Sequence, residues 1–139
     1  MRCERTMTIP HNYSPTTRWH RSEFAGSTAR LARRLLGTVL CHELHGTRYW
    51  GRIVETEAYT DDAASHAAHG KHTPRNRIMF GPPGVAYVYF IYGMHHCFNI
   101  VSEHDGRPGA VLIRGLDHIA HAAGPARTCR AVHLTLQDN

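Results

Sequence analysis

The sequence predicts an α+β fold: a single domain built on an antiparallel β-sheet, with a few flanking helices. Three observations carry that expectation. One stretch, residues 27–37, places leucines at helical spacing between a Ser/Thr start and Gly37. Two longer stretches, 38–59 and 85–102, are rich in Val, Ile, Thr and aromatic residues and are each interrupted by a short turn, which is the pattern of an antiparallel hairpin. A length of 139 residues suits one core, and a chain of this size buries roughly two thirds of its unfolded surface.

Met1 to Ser22 contain Pro10, Asn12, Ser14, Pro15 and paired threonines without apolar periodicity. They read as a disordered or loosely ordered arm, with order beginning near Phe24 and residues 23–139 forming the single domain. Ser27 or Thr28 suits the cap of a helix whose apolar face carries Leu31, Leu35 and Leu36, and Gly37 suits its end in the left-handed region. Arg30, Arg33 and Arg34 fall mainly on the other side, the pattern of a solvated face.

The first hairpin runs from Thr38 to His45, turns at Gly46-Thr47, and returns from Arg48 to Tyr59. Strict alternation on the second strand puts Ile53, Glu55, Glu57 and Tyr59 on one face, with Val54, Thr56 and Ala58 on the other. A glutamate beside Ala58 and Tyr59 near a strand end is a candidate acid or base, although surface strands also carry glutamates with no chemical role. Asp61 to Pro74 is small, polar and rich in histidine, with His66, His69 and His72 at intervals of three. It suggests either a metal tract or a loop with short helical turns; a zinc site would want a matching second cluster, for which only His95, His96 and Cys97 are on offer. Arg75-Asn76-Arg77 suits the holding of a phosphate backbone or, equally, a solvated turn.

Gly81-Pro82-Pro83-Gly84 breaks the chain ahead of the second hairpin, Val85 to Tyr92, a Gly93-Met94 turn, and His95 to Ser102. Its return strand should show Cys97, Asn99 and Val101 on one face and His96, Phe98 and Ile100 on the other. Tyr92 falls at the tip. An aromatic there can stack into a base step, at about 1–3 kcal/mol per base, or pack across the strands.

Composition bounds the partners. A formal charge of +5, a pI near 9.3 and 13 histidines are compatible with nucleic acid as a partner and equally with simple solubility. Cys3, Cys41, Cys97 and Cys129 form no Cys-x-x-Cys pair, which argues for reduced thiols over a zinc knuckle or disulfide framework. The first ten residues have no apolar stretch, and no segment approaches the roughly 18 apolar residues of a membrane span. The expected compartment is the bacterial cytosol or nucleoid, or a nucleus in a eukaryote, without secretion.

The ordered series Arg52-Ile53-Val54-Glu55-Thr56-Glu57-Ala58-Tyr59, Ser65-His66-Ala67, Thr73-Pro74-Arg75-Asn76, Met79-Phe80, Tyr87-Val88-Tyr89 and Tyr92-Gly93-Met94 resembles the alkyladenine (methylpurine, 3-methyladenine) DNA glycosylases. Cys97, Asn99 and Val111-Leu112-Ile113-Arg114 continue the likeness, which covers about residues 31–114. The resemblance implies a curved sheet, a roll or partly open barrel, with a hairpin projecting to DNA. It also implies a monofunctional enzyme of base excision repair, which flips an alkylated or deaminated purine out of double-stranded DNA and hydrolyses its N-glycosidic bond.

On this likeness Glu57 matches the general base that activates water, and Arg114 the arginine that places that water and complements the glutamate. Tyr59 and Tyr89 match the walls that sandwich the extruded base, and His66 the donor or acceptor at its edge. Asn99 matches the residue that crowds the exocyclic amino group of guanine. Tyr92 matches the wedge that fills the vacated gap, with Met94 beside it and Arg75 and Arg77 as further DNA contacts. No metal and no cofactor are expected, because the leaving purine carries or acquires its own positive charge. Lys71 is the single lysine, so water is a more natural nucleophile than a Schiff-base amine. Two other classes compete: a catalytically impaired binder of damaged DNA, and a metal protein using His66, His69 and His72.

The sequence also departs from the family. The loop between Tyr59 and Ser65 is short and lacks a Gly-Pro pair, and His95 and His96 stand where bulkier aromatics are common. After Arg114 comes Gly115-Leu116-Asp117 and an Ala/His tract, then Gly124 to Ala131, which resembles a downstream family helix. The family's C-terminal strands have no counterpart in the sequence, which implies an exposed sheet edge and a fold either weakened or completed by self-association.

Overall fold

The protein is described here by a computed structural model, covering residues 2–5, 18–104 and 106–139. Six strands, β1 (Arg2–Arg5), β2 (Thr38–Leu44), β3 (Thr47–Tyr59), β4 (Ala86–Ile91), β5 (His95–Val101) and β6 (Ala110–Asp117), form one curled antiparallel sheet. Their spatial order is β1-β2-β3-β6-β5-β4. Two helices, α1 (Thr28–Leu35) and α2 (Pro125–Ala131), complete the α+β architecture. The strand latest in sequence, β6, enters between the two hairpins and joins them, pairing with β3 on one side and β5 on the other.

Alternation of side chains divides the core between the two faces of the sheet. One face presents Leu40, Ile53, Val88, Phe98, Ile100, Val111 and Ile113, and packs against Leu31 and Leu35 of α1 and Cys129 of α2. The other presents Tyr87, Val101 and Ala110 to Ala67, Met79 and Phe80 of the long connection between β3 and β4. That connection contains short 3-10 turns at Ala68–Gly70 and Arg77–Phe80, in keeping with the expectation of a loop with helical turns. Cys97 and Asn99 are buried as well as Phe98 and Ile100, because β5 lies between two strands and beneath two packed layers.

Several local expectations shift. Ser27 caps α1, its side chain accepting from the amide of Arg30, and Gly37 takes φ 82°. Leu36, however, is 46% exposed: the helix ends at Leu35, and extended backbone at Leu36 (ψ 130°) turns its side chain off the apolar face. The first hairpin turns one residue earlier than expected, at His45-Gly46, both with positive φ, and Leu44 faces Thr47. That is the two-residue turn whose twist matches paired strands. Structure also begins before Phe24. Trp19 is buried against the core with its ring tilted against that of Phe24, centroids 5.2 Å apart, and Arg2–Arg5 pairs with β2; residues 6–17 of the expected arm lie outside the described residues.

At the sheet edge, β4 has one partner strand. Its free side is met at Val88 by Asn139, whose side-chain oxygen accepts from the Val88 amide (2.6 Å) and whose amide donates to the Val88 carbonyl (2.9 Å). An asparagine side chain thereby supplies the donor and acceptor that a neighbouring strand would offer.

Candidate active site

The site begins with an irregularity that strict alternation does not foresee. Between β3 and β6 the register shifts twice, at Ile53/Glu55 and at Glu55/Thr56. Ile53 and Thr56, three residues apart, both turn to the α1 side: Ile53 is fully buried there, and the Thr56 hydroxyl donates to the Ala32 carbonyl at 3.0 Å. Ile53 therefore does not share a face with Glu57 and Tyr59, as a strict period of two would have it. A bulge resets the phase, so that Glu57 and Tyr59 lie on the face of Leu112, Asn99 and Tyr87, which stand in register across β6, β5 and β4.

Glu57 sits among charged and phenolic donors. Its Oε1 lies 3.1 Å from Nη1 of Arg114, and its Oε2 accepts from the Tyr59 hydroxyl at 2.5 Å. The same guanidinium reaches back, Nε donating to Oε1 of Glu55 at 3.2 Å. One arginine thus bridges two carboxylates of β3. The bond to Glu57, followed by partial burial, pushes the Tyr59 phenol up to about 12, so Tyr59 is a neutral hydrogen-bond donor at neutral pH. A carboxylate has roughly four lone-pair positions, and two of Glu57's are taken, leaving capacity for a water.

Beside this group opens a cleft of about 340 Å³ lined by Tyr59, Ala64, His66, Met79, Tyr87, Tyr89 and Asn99. Glu57 does not line it directly; Tyr59 connects them. His66 packs edge-on to Tyr89, ring centroids 4.4 Å apart, and its Nδ1 lies 3.0 Å from the Tyr87 hydroxyl. Desolvation, with Arg75 nearby, lowers the His66 pKa below its ordinary value, which favours the neutral ring. Burial pushes the Tyr87 phenol up to about 12 and raises Tyr89 as well. Asn99 is 3% exposed and donates to the Tyr87 carbonyl at 3.1 Å, which fixes its amide at the cleft floor.

The second hairpin projects its apolar tip into solvent. Tyr92 is 85% exposed and Met94 65% exposed. Tyr92 and Gly93 both take positive φ, 52° and 66°, so the turn lies at Tyr92-Gly93 and not at Gly93-Met94. For a bulky side chain that backbone conformation is costly. Arg75 is exposed yet anchored: its Nη2 donates to the Phe90 carbonyl at 2.8 Å, and its guanidinium lies 5.5 Å from the Tyr89 ring centroid. Arg77 is exposed at the start of a 3-10 turn.

A model of the methylpurine-DNA glycosylase family matches residues 22–139. The chain belongs to that family. It is 49% identical over 126 residues to a Myxococcus xanthus protein named "Putative 3-methyladenine DNA glycosylase", covering 85% of this chain and 64% of that protein. A protein of the same name from Anaeromyxobacter dehalogenans is 54% identical over 115 residues, 78% of this chain and 55% of its own length. One from Bacillus cereus is 40% identical over 141 residues, 84% and 69% respectively. The chain thus spans between about half and about two thirds of the length of these three relatives.

In this family member the tertiary structure gathers Glu57, Arg114, Tyr59, His66, Tyr89 and Asn99 on one face of the sheet, while Tyr92, Met94, Arg75 and Arg77 stand outside the cleft. Three participants escaped the sequence reading of individual residues. Tyr87 lines the cleft and bonds His66; its alternation with Tyr89, two residues on, was the available signal. Glu55 shares Arg114, and its place beside Glu57 was visible though its partner was not. Asn76 is 1% exposed and satisfies three backbone groups: its amide donates to the carbonyls of His66 and Lys71, both at 2.7 Å, and its oxygen accepts from Thr73 at 2.7 Å. Among the described residues no group of three His, Cys, Asp or Glu side chains converges to hold a metal. His69 takes φ 57° in its turn, and His72 stacks on Phe80 at 3.4 Å, so the spacing of three does not gather the histidines of the loop. The described residues include no helix long and apolar enough to cross a membrane.

Proposed function

We propose that this chain carries the purine pocket of a monofunctional DNA glycosylase, which hydrolyses the N-glycosidic bond of an alkylated or deaminated purine flipped from duplex DNA. The observation that carries the reading is Glu57, held by Arg114 and Tyr59 at the border of a cleft walled by Tyr59, Tyr89 and His66. In the proposed reaction the purine enters between the aromatic walls, where an electron-poor alkylated ring gains from stacking. Neutral His66 offers one ring nitrogen to the base edge. Glu57 takes a proton from water as that water attacks the sugar carbon and the carbon–nitrogen bond breaks, the electron pair leaving with the purine. Arg114 complements the carboxylate with a fixed fork of donors.

Asn99, pinned by its bond to the Tyr87 carbonyl, serves selectivity by crowding the exocyclic amino group of guanine. Exposed Tyr92 and Met94 fill the gap left by the flipped nucleotide, base–aromatic stacking of about 1–3 kcal/mol offsetting part of the unstacking cost. Arg77 meets the phosphate backbone, and Arg75 contributes while supporting Tyr89. Such contacts make binding fall with salt at about 0.9 log units per log unit of salt for each neutralised phosphate.

The test is single-turnover release of hypoxanthine, ethenoadenine or methylpurine from duplex DNA. Glu57→Gln should lower the rate by about 10²–10⁴-fold, the range for a positioned general base, and leave binding to lesion DNA intact. Retention of lesion DNA without release by the unmutated chain would favour an impaired damage binder, and a Glu57→Gln protein as fast as the parent would overturn the assignment.

A further inference from the structure

The family likeness assigns no part to Glu55, yet the geometry gives it one. Its carboxylate accepts from Nε of Arg114 at 3.2 Å, while Nη1 of the same guanidinium lies 3.1 Å from Glu57. Two edges of one planar group are therefore held by two carboxylates of the same strand. The guanidinium is itself planar and rigid, so with Nε held by Glu55 and Nη1 by Glu57 it cannot turn about the Cδ–Nε or Cγ–Cδ bond without losing one of the two contacts. Arg114 bonded to Glu57 alone would be free to swing with its flexible side chain.

The arrangement depends on the double register shift. Glu55 stands opposite Gly115, where a Cβ would make only ordinary contact with Glu55 (3.4 and 3.5 Å) and Val54 (3.5 Å). From this register position the Glu55 carboxylate folds across β6 onto the guanidinium. The Glu55 side chain is 57% exposed and that of Arg114 33%. A pair so open to water adds little to stability, so holding the arginine is the consequence that remains. Charged and titratable groups around this cluster are Glu57 and Tyr59 on β3 itself and Cys97 on β5, with Asp62 acting on Tyr59 from the following loop. Glu55 is the group among them that bonds Nε.

We propose that Glu55 is a positioning residue, which fixes the Arg114 guanidinium so that it presents Nη1 to Glu57. The proposal rests on the reading of Glu57 as the base. Three consequences follow. Glu55→Gln lowers the single-turnover rate of base release about tenfold, with affinity for lesion DNA equal to or tighter than that of the parent, since a negative charge is lost near the phosphates. Glu55→Asp, which keeps the charge on a shorter arm, recovers part of the rate. In an Arg114→Ala background Glu55→Gln has no further effect, because residues acting through one shared partner are non-additive.

The experiment is that double-mutant cycle, read by single-turnover kinetics and by lesion-DNA binding, with circular dichroism of each variant. Equal, additive losses in the two backgrounds would overturn the proposal, as would a Glu55→Gln protein with the parental rate. Should Glu57→Gln keep full activity in the same assay, the reading of the base has failed and not the role of Glu55. Unfolding of Glu55→Gln, seen in the dichroism, would also refute a purely positional role.

Discussion

Replacing Asn76 with alanine tests whether one buried amide holds the pocket loop. The side chain is 1% exposed and makes three bonds to backbone, to the carbonyls of His66 and Lys71 and from the amide of Thr73. Each such bond contributes about 0.5–1.5 kcal/mol net, and a buried group left unpaired costs about 1–3 kcal/mol. His66 and Lys71 are exposed residues, so water can re-solvate part of what is lost. The working figure is therefore about 2–3 kcal/mol, below the sum of the worst cases. For a domain of this size each kcal/mol moves the midpoint by about 3 °C, which gives a fall of about 6–9 °C in Tm. Asn76→Asp has the same shape and keeps the acceptor for Thr73 but loses both donors and sets an oxygen against two carbonyls, so it should be at least as unstable. The assay is thermal denaturation by circular dichroism, together with hydrogen exchange at the Thr73 amide, whose protection should vanish in Asn76→Ala. A Tm shift below about 2 °C in both variants, with Thr73 still protected, would refute the idea that this residue pins the loop bearing His66.

His66 has a pKa lowered by desolvation and by Arg75. A depressed folded-state value means that the unfolded chain binds the proton first, so this group's contribution to stability is complete above about pH 6.5 and is lost as pH falls below it. His66→Gln should therefore show a shallower loss of stability between neutral pH and pH 5, measured by urea unfolding at several pH values; an unchanged slope would refute the assignment. Tyr92→Gly should raise stability by up to about 1 kcal/mol, because glycine adopts positive φ without penalty, and should weaken binding to lesion DNA about tenfold or more through the lost stacking. Parallel loss of stability and binding would contradict the separation of the two effects. Gly109→Ala should cost about 1–3 kcal/mol, since a Cβ there would lie 2.5 Å from Glu103, 2.6 Å from the Thr28 hydroxyl and 2.8 Å from that of Ser102. That substitution disturbs the bonds tying the start of α1 to Ser102 and Glu103, and a denaturation midpoint matching the parent would show that the network can yield.

Sequence alone carried the α1 helix, both hairpins, the faces of β5 and the ordered motifs that resemble the glycosylase family, because these follow from local period, capping and turn chemistry. It could not carry the partners of those residues. Alternation put Ile53 beside Glu57, whereas the paired register of β3 and β6 contains a double shift that turns Ile53 into the core and leaves Glu55, Glu57 and Tyr59 to the site. A bulge is a property of two strands in contact and leaves little trace in either one. For the same reason the Arg114 bridge joins residues 57 and 59 positions apart in sequence, and Asn76, which looked like part of a cationic turn, became a buried clamp. Local forces select the elements, but where their side chains meet depends on β6 entering between the two hairpins, and long-range pairing of that kind is decided by the packed whole.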